Sequence, residues 1–156
     1  LLGDDGRGLF PVGRLDADTS GVLLLTDDGD LANRLTHPSF GVEKVYWARI
    51  RGSVTEEGIR GIEAGIVLDD GPAAPARVRV ISRGRGSAVV EMTLHQGRKR
   101  QVRRMLEHVG NPVLELERIS FGGVTAKGVP EGSYRPLSGS EIDLLVRAVG
   151  SGPPDR

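Results

Sequence analysis

Arg77-Val78-Arg79-Val80-Ile81-Ser82, the turn Arg83-Gly84-Arg85-Gly86, and then Ala88-Val89-Val90-Glu91-Met92-Thr93-Leu94-His95 decide the fold class. Two runs rich in β-formers flank a glycine-containing turn, which is the signature of a β-hairpin. Val90, Met92 and Leu94 alternate with polar residues and so form one apolar face. A hairpin joins antiparallel strands, whereas a doubly wound parallel sheet needs a helix after each strand. The expected class is therefore α+β: a mixed, mostly antiparallel β-sheet with a few flanking helices.

Upstream, Glu43 to Arg51 reads as a strand through Val45, Tyr46, Trp47 and Ile50. Its two-residue period puts Tyr46, Ala48 and Ile50 on one face and Val45, Trp47, Arg49 and Arg51 on the other. A helix is predicted near Glu56 to Ala64, with capping-box spacing between Ser53 and Glu56 and Gly65 as its stop. Gly58 and Gly61 weaken it by about 1 kcal/mol each. Val22 to Thr26 is an apolar run of strand length, read as buried on both faces. Leu9 to Leu15 reads as a short edge strand containing Pro11, and Asp30 to Thr36 as a short helix closed by Pro38.

Downstream, a helix is predicted from Gly97 to Val109, with Val102, Met105, Leu106 and Val109 as its apolar stripe. Leu114 to Phe121 reads as a strand. A last helix, Ser140 to Val149, follows a capping box of Ser138 and Glu141, with Ile142, Leu145, Val146 and Val149 in its stripe. Leu1 to Gly8 reads as a loop or severed linker, and Gly150 to Arg156 as a disordered tail.

The 156 residues suit one domain, and such a length buries roughly 70% of the unfolded surface. There is no cysteine, which excludes a disulfide scaffold, a thiol nucleophile and cysteine-ligated metal. No run approaches the ~18 apolar residues of a membrane span, and no secretory signal is visible. A cytoplasmic setting is the expectation. Net charge is zero, but it is polarised. Through Val78 there are 13 acidic and 8 basic residues; from Arg79 onward there are 8 acidic and 13 basic. A polyanion would meet the second half.

Three stretches carry candidate chemistry. In Gly13-Arg14-Leu15-Asp16-Ala17-Asp18-Thr19-Ser20-Gly21, Asp16 follows an apolar anchor at a sheet end. It is either a carboxylate held towards a cleft or a turn aspartate bonding its own backbone. In Gly97-Arg98-Lys99-Arg100-Gln101-Val102-Arg103-Arg104-Met105, five of nine residues are basic. Cations at a helix start oppose its dipole, so an anion such as phosphate would offset them; the alternative is a solvated charged face. Tyr46 is either a core residue with a satisfied hydroxyl or a ring face for a nucleobase. His37, His95 and His108 lack metal-ligand spacing. Asp27-Asp28-Gly29-Asp30 lacks the frame of a calcium loop, and Ser20 has no nucleophile-elbow context.

Together these stretches resemble one family. Gly13-Arg14-Leu15-Asp16 with Asp18-Thr19-Ser20-Gly21-Val22-Leu23-Leu24-Leu25-Thr26-Asp27-Asp28-Gly29 is similar to the GRLD signature of pseudouridine synthases. Asp30 to Pro38 with Glu43-Lys44-Val45-Tyr46 is similar to the segment that follows it. Gly97 to Met105 resembles the third motif of the RsuA/RluB branch, which modifies ribosomal RNA, and the likeness leans to the large-subunit type. It runs from about Leu9 to Leu137. The resemblance implies a catalytic domain over residues 9–149 that isomerises a uridine of ribosomal RNA, 23S in preference to 16S, to pseudouridine. It implies Asp16 as the catalytic aspartate, Arg103 as its basic partner and Tyr46 as the residue stacking on the base. Arg14, Arg98, Lys99, Arg100 and Arg104 would hold phosphates. The uridine must be flipped from its stack; no metal or cofactor is implied, and a monomer is expected. Family members usually begin with a small RNA-binding domain and a further strand. The chain is accordingly expected to be a catalytic domain lacking that docking module.

Two rival readings stand beside it. One is a non-catalytic RNA-binding module using the Arg98–Arg104 patch. The other is a glycosidase pairing Asp16 with Asp18 or Asp27, which needs two carboxyls ~5–9 Å apart.

Overall fold

The computed structural model describes residues 6 and 8–150. In chain order the strands and helices are β1 (Phe10–Pro11), β2 (Ser20–Gly21), β3 (Leu25–Thr26), α1 (Gly29–Thr36), β4 (Lys44–Arg51), α2 (Glu56–Ala64), β5 (Val67–Leu68), β6 (Gly71–Pro72), β7 (Arg77–Arg83), β8 (Ser87–Leu94), α3 (Gln101–His108), β9 (Val113–Phe121) and α4 (Gly139–Gly150). The central sheet has the order β2-β9-β4-β8-β7. Three of its pairings are antiparallel, and only β2 runs parallel to its neighbour β9. The α+β, mostly antiparallel expectation holds. The hairpin is β7–β8, with a bulge between Val80 and Ser82.

Alternation along the strands sets the two faces. Ala48, Ile50, Val90, Met92 and Leu116 point inward and pack with Ile62 of α2 and with Val102, Met105 and Leu106 of α3. A second core gathers Val12, Val22, Leu24, Leu35, Phe121, Leu145 and Val149, joining α1 and α4 to the far end of β9. Strand β9 joins the two cores, giving Leu116 to the first and Phe121 to the second. Among the described residues no helix is long and apolar enough to cross a membrane.

Several expectations need correcting. Val22 to Thr26 is not one strand buried on both faces. Val22 and Leu24 are buried but Leu23 is 40% exposed, and only Leu25–Thr26 is a strand. The run is split because Val22 N–H donates to Arg118 O on β9, whereas Leu24 O accepts from Val12 N–H beside β1. The α2 cap is Thr55, whose hydroxyl accepts from Gly58 N–H at 3.0 Å; the Ser53 hydroxyl is taken by Arg83. Gly58 sits where a Cβ would meet Val54 at 3.2 Å and Val109 at 3.4 Å, so close packing explains it. Helix α3 starts at Gln101 rather than Gly97, which leaves Arg98, Lys99 and Arg100 in the loop before it. In α4 only Leu145 and Val149 of the expected stripe are buried; Ile142 and Val146 face outward. Ser138 does cap that helix, accepting from Glu141 N–H, while the Glu141 carboxylate pairs with Arg135. The short hairpin β5–β6 was not foreseen. Of the expected leading linker, residues 1–5 and 7 lie outside the described residues, as do residues 151–156 of the expected tail, and Gly150 ends α4.

Candidate active site

Loop 13–19 follows Val12 beyond the small antiparallel pair β1–β3, is turned by Gly13 at φ +75°, and closes on itself when Thr19 N–H donates to Asp16 O at 2.9 Å. This turn presents the half-buried Asp16 to a cleft of about 570 Å³. The wall comes from the core face of the sheet: Lys44 and Tyr46 on β4, Leu94 at the end of β8, and Leu116, Arg118 and Phe121 on β9. The rim comes from Gln96 to Val102. Among the described residues Asp16 is the only carboxylate lining the cleft, whereas Arg14, Lys44, Arg98, Lys99, Arg100 and Arg118 all line it. Such an excess of cations attracts a polyanion. The volume suits one nucleotide-sized ligand.

Two cations are buried in the wall. Arg118 is only 3% exposed and donates from Nε and Nη2 to Val22 O, at 3.0 and 2.8 Å. Lys44 is 9% exposed and donates to Val42 O at 3.1 Å. Both lie over the Phe121 ring, at 5.0 and 5.3 Å from its centroid. Tyr46 stands directly across from Arg118 in the β4–β9 register. Burial, reinforced by the Arg118 charge, pushes the Lys44 ammonium down to about 8. Burial likewise lowers Arg118, against an opposing effect of Tyr46.

That depression has a stability consequence. Between pH 8 and 10.5 the unfolded chain holds a proton on Lys44 that the folded chain has released. Folding stability therefore rises with pH across this window and is lowest below it, with a full amplitude of about 3 kcal/mol. Lys44→Met should abolish this rise and stabilise the protein at pH 7.5. Denaturant unfolding at pH 7.5 and 9.5 checks both outcomes; an unchanged or lowered midpoint at pH 7.5 would mean that the ammonium is not a burial cost.

The basic segment is organised by two aspartates. Arg100 binds Asp18 with both terminal nitrogens, at 2.9 and 3.0 Å. Arg103 donates to the Asp18 backbone carbonyl at 2.6 Å and lies 3.5 Å from its carboxylate. The Arg100 fork, aided by Arg103, holds the Asp18 carboxyl below its usual range. Asp70, at the β5–β6 turn, takes Arg104 at 2.6 Å and also Arg98, which lower it to about 2. Arg100 has φ +51°, the only non-glycine residue with positive φ among those described. Strain of that kind concentrates at ligand clamps. Arg103 Nε and Arg104 Nη2 are buried with no hydrogen-bond partner, as is the Thr19 hydroxyl. Arg14 and Lys99 make no ion pair among the described residues.

Asp16, Tyr46, Arg14, Arg98, Lys99 and Arg100 thus meet in one cleft, as the sequence suggests. Arg103 and Arg104 stand behind its rim on α3, and the contacts of Arg103 are to Asp18 rather than Asp16. Lys44 and Arg118 are additions. A two-residue period already puts Lys44 on the face of Tyr46, and Arg118 on the face of Leu116. Glycosidase geometry is absent, since the Asp18 carboxylate is taken by arginines and Asp27 does not line the cleft.

The family described as RNA pseudouridylate synthase matches residues 2–108. "Ribosomal large subunit pseudouridine synthase B" of Bacillus subtilis is 40% identical over 139 residues, covering 88% of this chain and 57% of that protein. An "uncharacterized RNA pseudouridine synthase" of Mycobacterium tuberculosis is 49% identical over 144 residues, covering 92% and 57%. A solved "pseudouridylate synthase" superposes with a TM-score of 0.85 at 37% identity, covering 92% of this chain and 62% of that one. The chain thus spans less than two thirds of the length of these relatives.

Proposed function

The chain belongs to the RNA pseudouridylate synthase family, and on that footing we propose that it isomerises a uridine of ribosomal RNA, 23S in preference to 16S, to pseudouridine. The observation that carries the reading is the Asp16 carboxylate, alone of its kind among the described residues of a cleft that six cationic side chains also line. Residues 9–149 form the catalytic domain, acting as a monomer in the cytoplasm.

Asp16 acts as an ionised nucleophile or charge partner for the ribose–uracil unit. The flipped uracil lies against Tyr46, whose hydroxyl helps remove the carbon-5 proton. Arg103 works through the loop: by gripping the Asp18 carbonyl two residues on, it fixes the turn that aims Asp16. Lys99 and Arg14 meet phosphates first, because among the described residues no carboxylate pairs with them. Arg98, Arg100 and Arg104 exchange their aspartate partners for phosphates as RNA seats. The test is incubation with unmodified 16S and 23S transcripts followed by pseudouridine mapping. One modified site in the 23S transcript is expected; none in either transcript sinks the reading. Binding without turnover would favour the non-catalytic module.

Asp70→Asn should release Arg98 and Arg104 for RNA. Exposed ion pairs are weak, so the expected gain in RNA affinity is roughly fivefold. Filter binding at fixed salt measures it. Unchanged or weaker binding would show that Asp70 orients these arginines instead of competing for them.

A further inference from the structure

We propose that Lys44 and Arg118 form an anion-stabilising wall that takes up the negative charge of the uracil ring once its glycosidic bond opens. The inference rests on the proposed isomerase reading. Its physical motive is local, however. Two cations lie buried side by side over one phenylalanine ring, and neither has a carboxylate within 4 Å among the described residues. Burying one unpaired charge is costly, and burying two like charges together is more so. Lys44 donates to the neutral carbonyl of Val42 and Arg118 to that of Val22, and the Tyr46 hydroxyl stands beside Arg118. A Lys44 ammonium has three donors and spends one of them on Val42, so donors remain for a ligand on the cleft side.

The reaction generates such a ligand. When the bond between C1′ and N1 breaks, its electron pair stays on the ring and spreads over N1 and the two carbonyl oxygens. The ring turns, C5 bonds to C1′, the C5 hydrogen leaves as a proton and N1 takes one up. Atoms balance without oxidant, reductant or co-reactant. Neutral uracil carries no such charge, so the wall acts on the detached ring and not on bound uridine. Interactions present only at that stage raise kcat without lowering KM.

Two measurements test the wall. In turnover on the 23S transcript, Lys44→Met should lower kcat about 100-fold with KM within about twofold, and Lys44→Arg should recover at least about tenfold. The Met variant is expected to be the more stable protein, so misfolding would not mimic this result. In binding, 6-hydroxyuracil, an anion at neutral pH, should bind the unaltered chain about tenfold more tightly than neutral uracil, a preference that Lys44→Met removes. If the unaltered chain makes pseudouridine and Lys44→Met keeps its kcat, the wall is wrong and the isomerase reading stands. A rise in KM alone would make Lys44 a phosphate contact and also overturn it. If no pseudouridine forms, the isomerase reading falls, and the 6-hydroxyuracil preference decides the wall by itself; equal affinity for the two pyrimidines rejects it.

Discussion

Asp16→Asn is expected to lose at least ~10³-fold in pseudouridine formation while the protein stays folded and binds RNA at least as well. The turn that presents this residue is closed by its backbone carbonyl, which accepts from Thr19 N–H. Asparagine has the same shape and leaves that bond in place, so melting should shift by less than about 0.5 kcal/mol in stability. What disappears is the only carboxylate, among the described residues, lining a cleft with six cationic side chains. Removing it reduces repulsion of phosphates, so weaker binding cannot explain lost turnover. Turnover, a thermal melt and an RNA titration on one preparation check the three parts together. A variant that retained more than a tenth of the activity would move the chemistry elsewhere.

Gly21→Ala is expected to have the largest effect on stability, more than about 4 kcal/mol, or to prevent folding. At φ +118° this residue sits in backbone space that side chains rarely adopt. An added Cβ would lie 2.2 Å from Arg118 O and 2.6 Å from Arg118 N. Those atoms belong to the β2–β9 pairing, where Gly21 sits opposite Arg118. The strands would have to part, carrying Arg118 out of the cleft wall and loosening the second core at Val22. Denaturant unfolding against the unaltered chain checks it. Gly8→Ala is a suitable control, because a Cβ there meets nothing within 4 Å, although its own positive φ carries a smaller penalty. Equal midpoints for the two variants would contradict the close approach.

What could be read from the chain follows from the range of the forces involved. Helix α2 from Glu56 to Ala64 and the two faces of β4 depend on local periodicity, and both are as the sequence predicts. The hairpin was legible because its turn glycines and alternation lie within twenty residues. The start of α3 was not: Arg98 to Arg100 continue a helical-looking pattern, yet Arg100 turns left-handed while its guanidinium grips Asp18, 82 residues away. Asp18 is legible as a motif residue and as a rival second carboxylate, but not as the partner of Arg100 and Arg103, which arrive from another element. The same holds for Asp70, which belongs to a hairpin too short to announce itself. The site motifs at Asp16 and Tyr46 were legible as residues. The buried pairing of Lys44 with Arg118 needs the register of β9 against β4, which no local pattern encodes.

The central claim is that the Asp16 cleft moves a uracil from N1 to C5. Isomerisation expels the hydrogen on carbon 5, so a 23S transcript tritiated at that position reports the event directly. The account predicts close to one tritium released to water per transcript by the unaltered chain, and none above background by Asp16→Asn. No release from the unaltered chain, or equal release by both proteins, would contradict it.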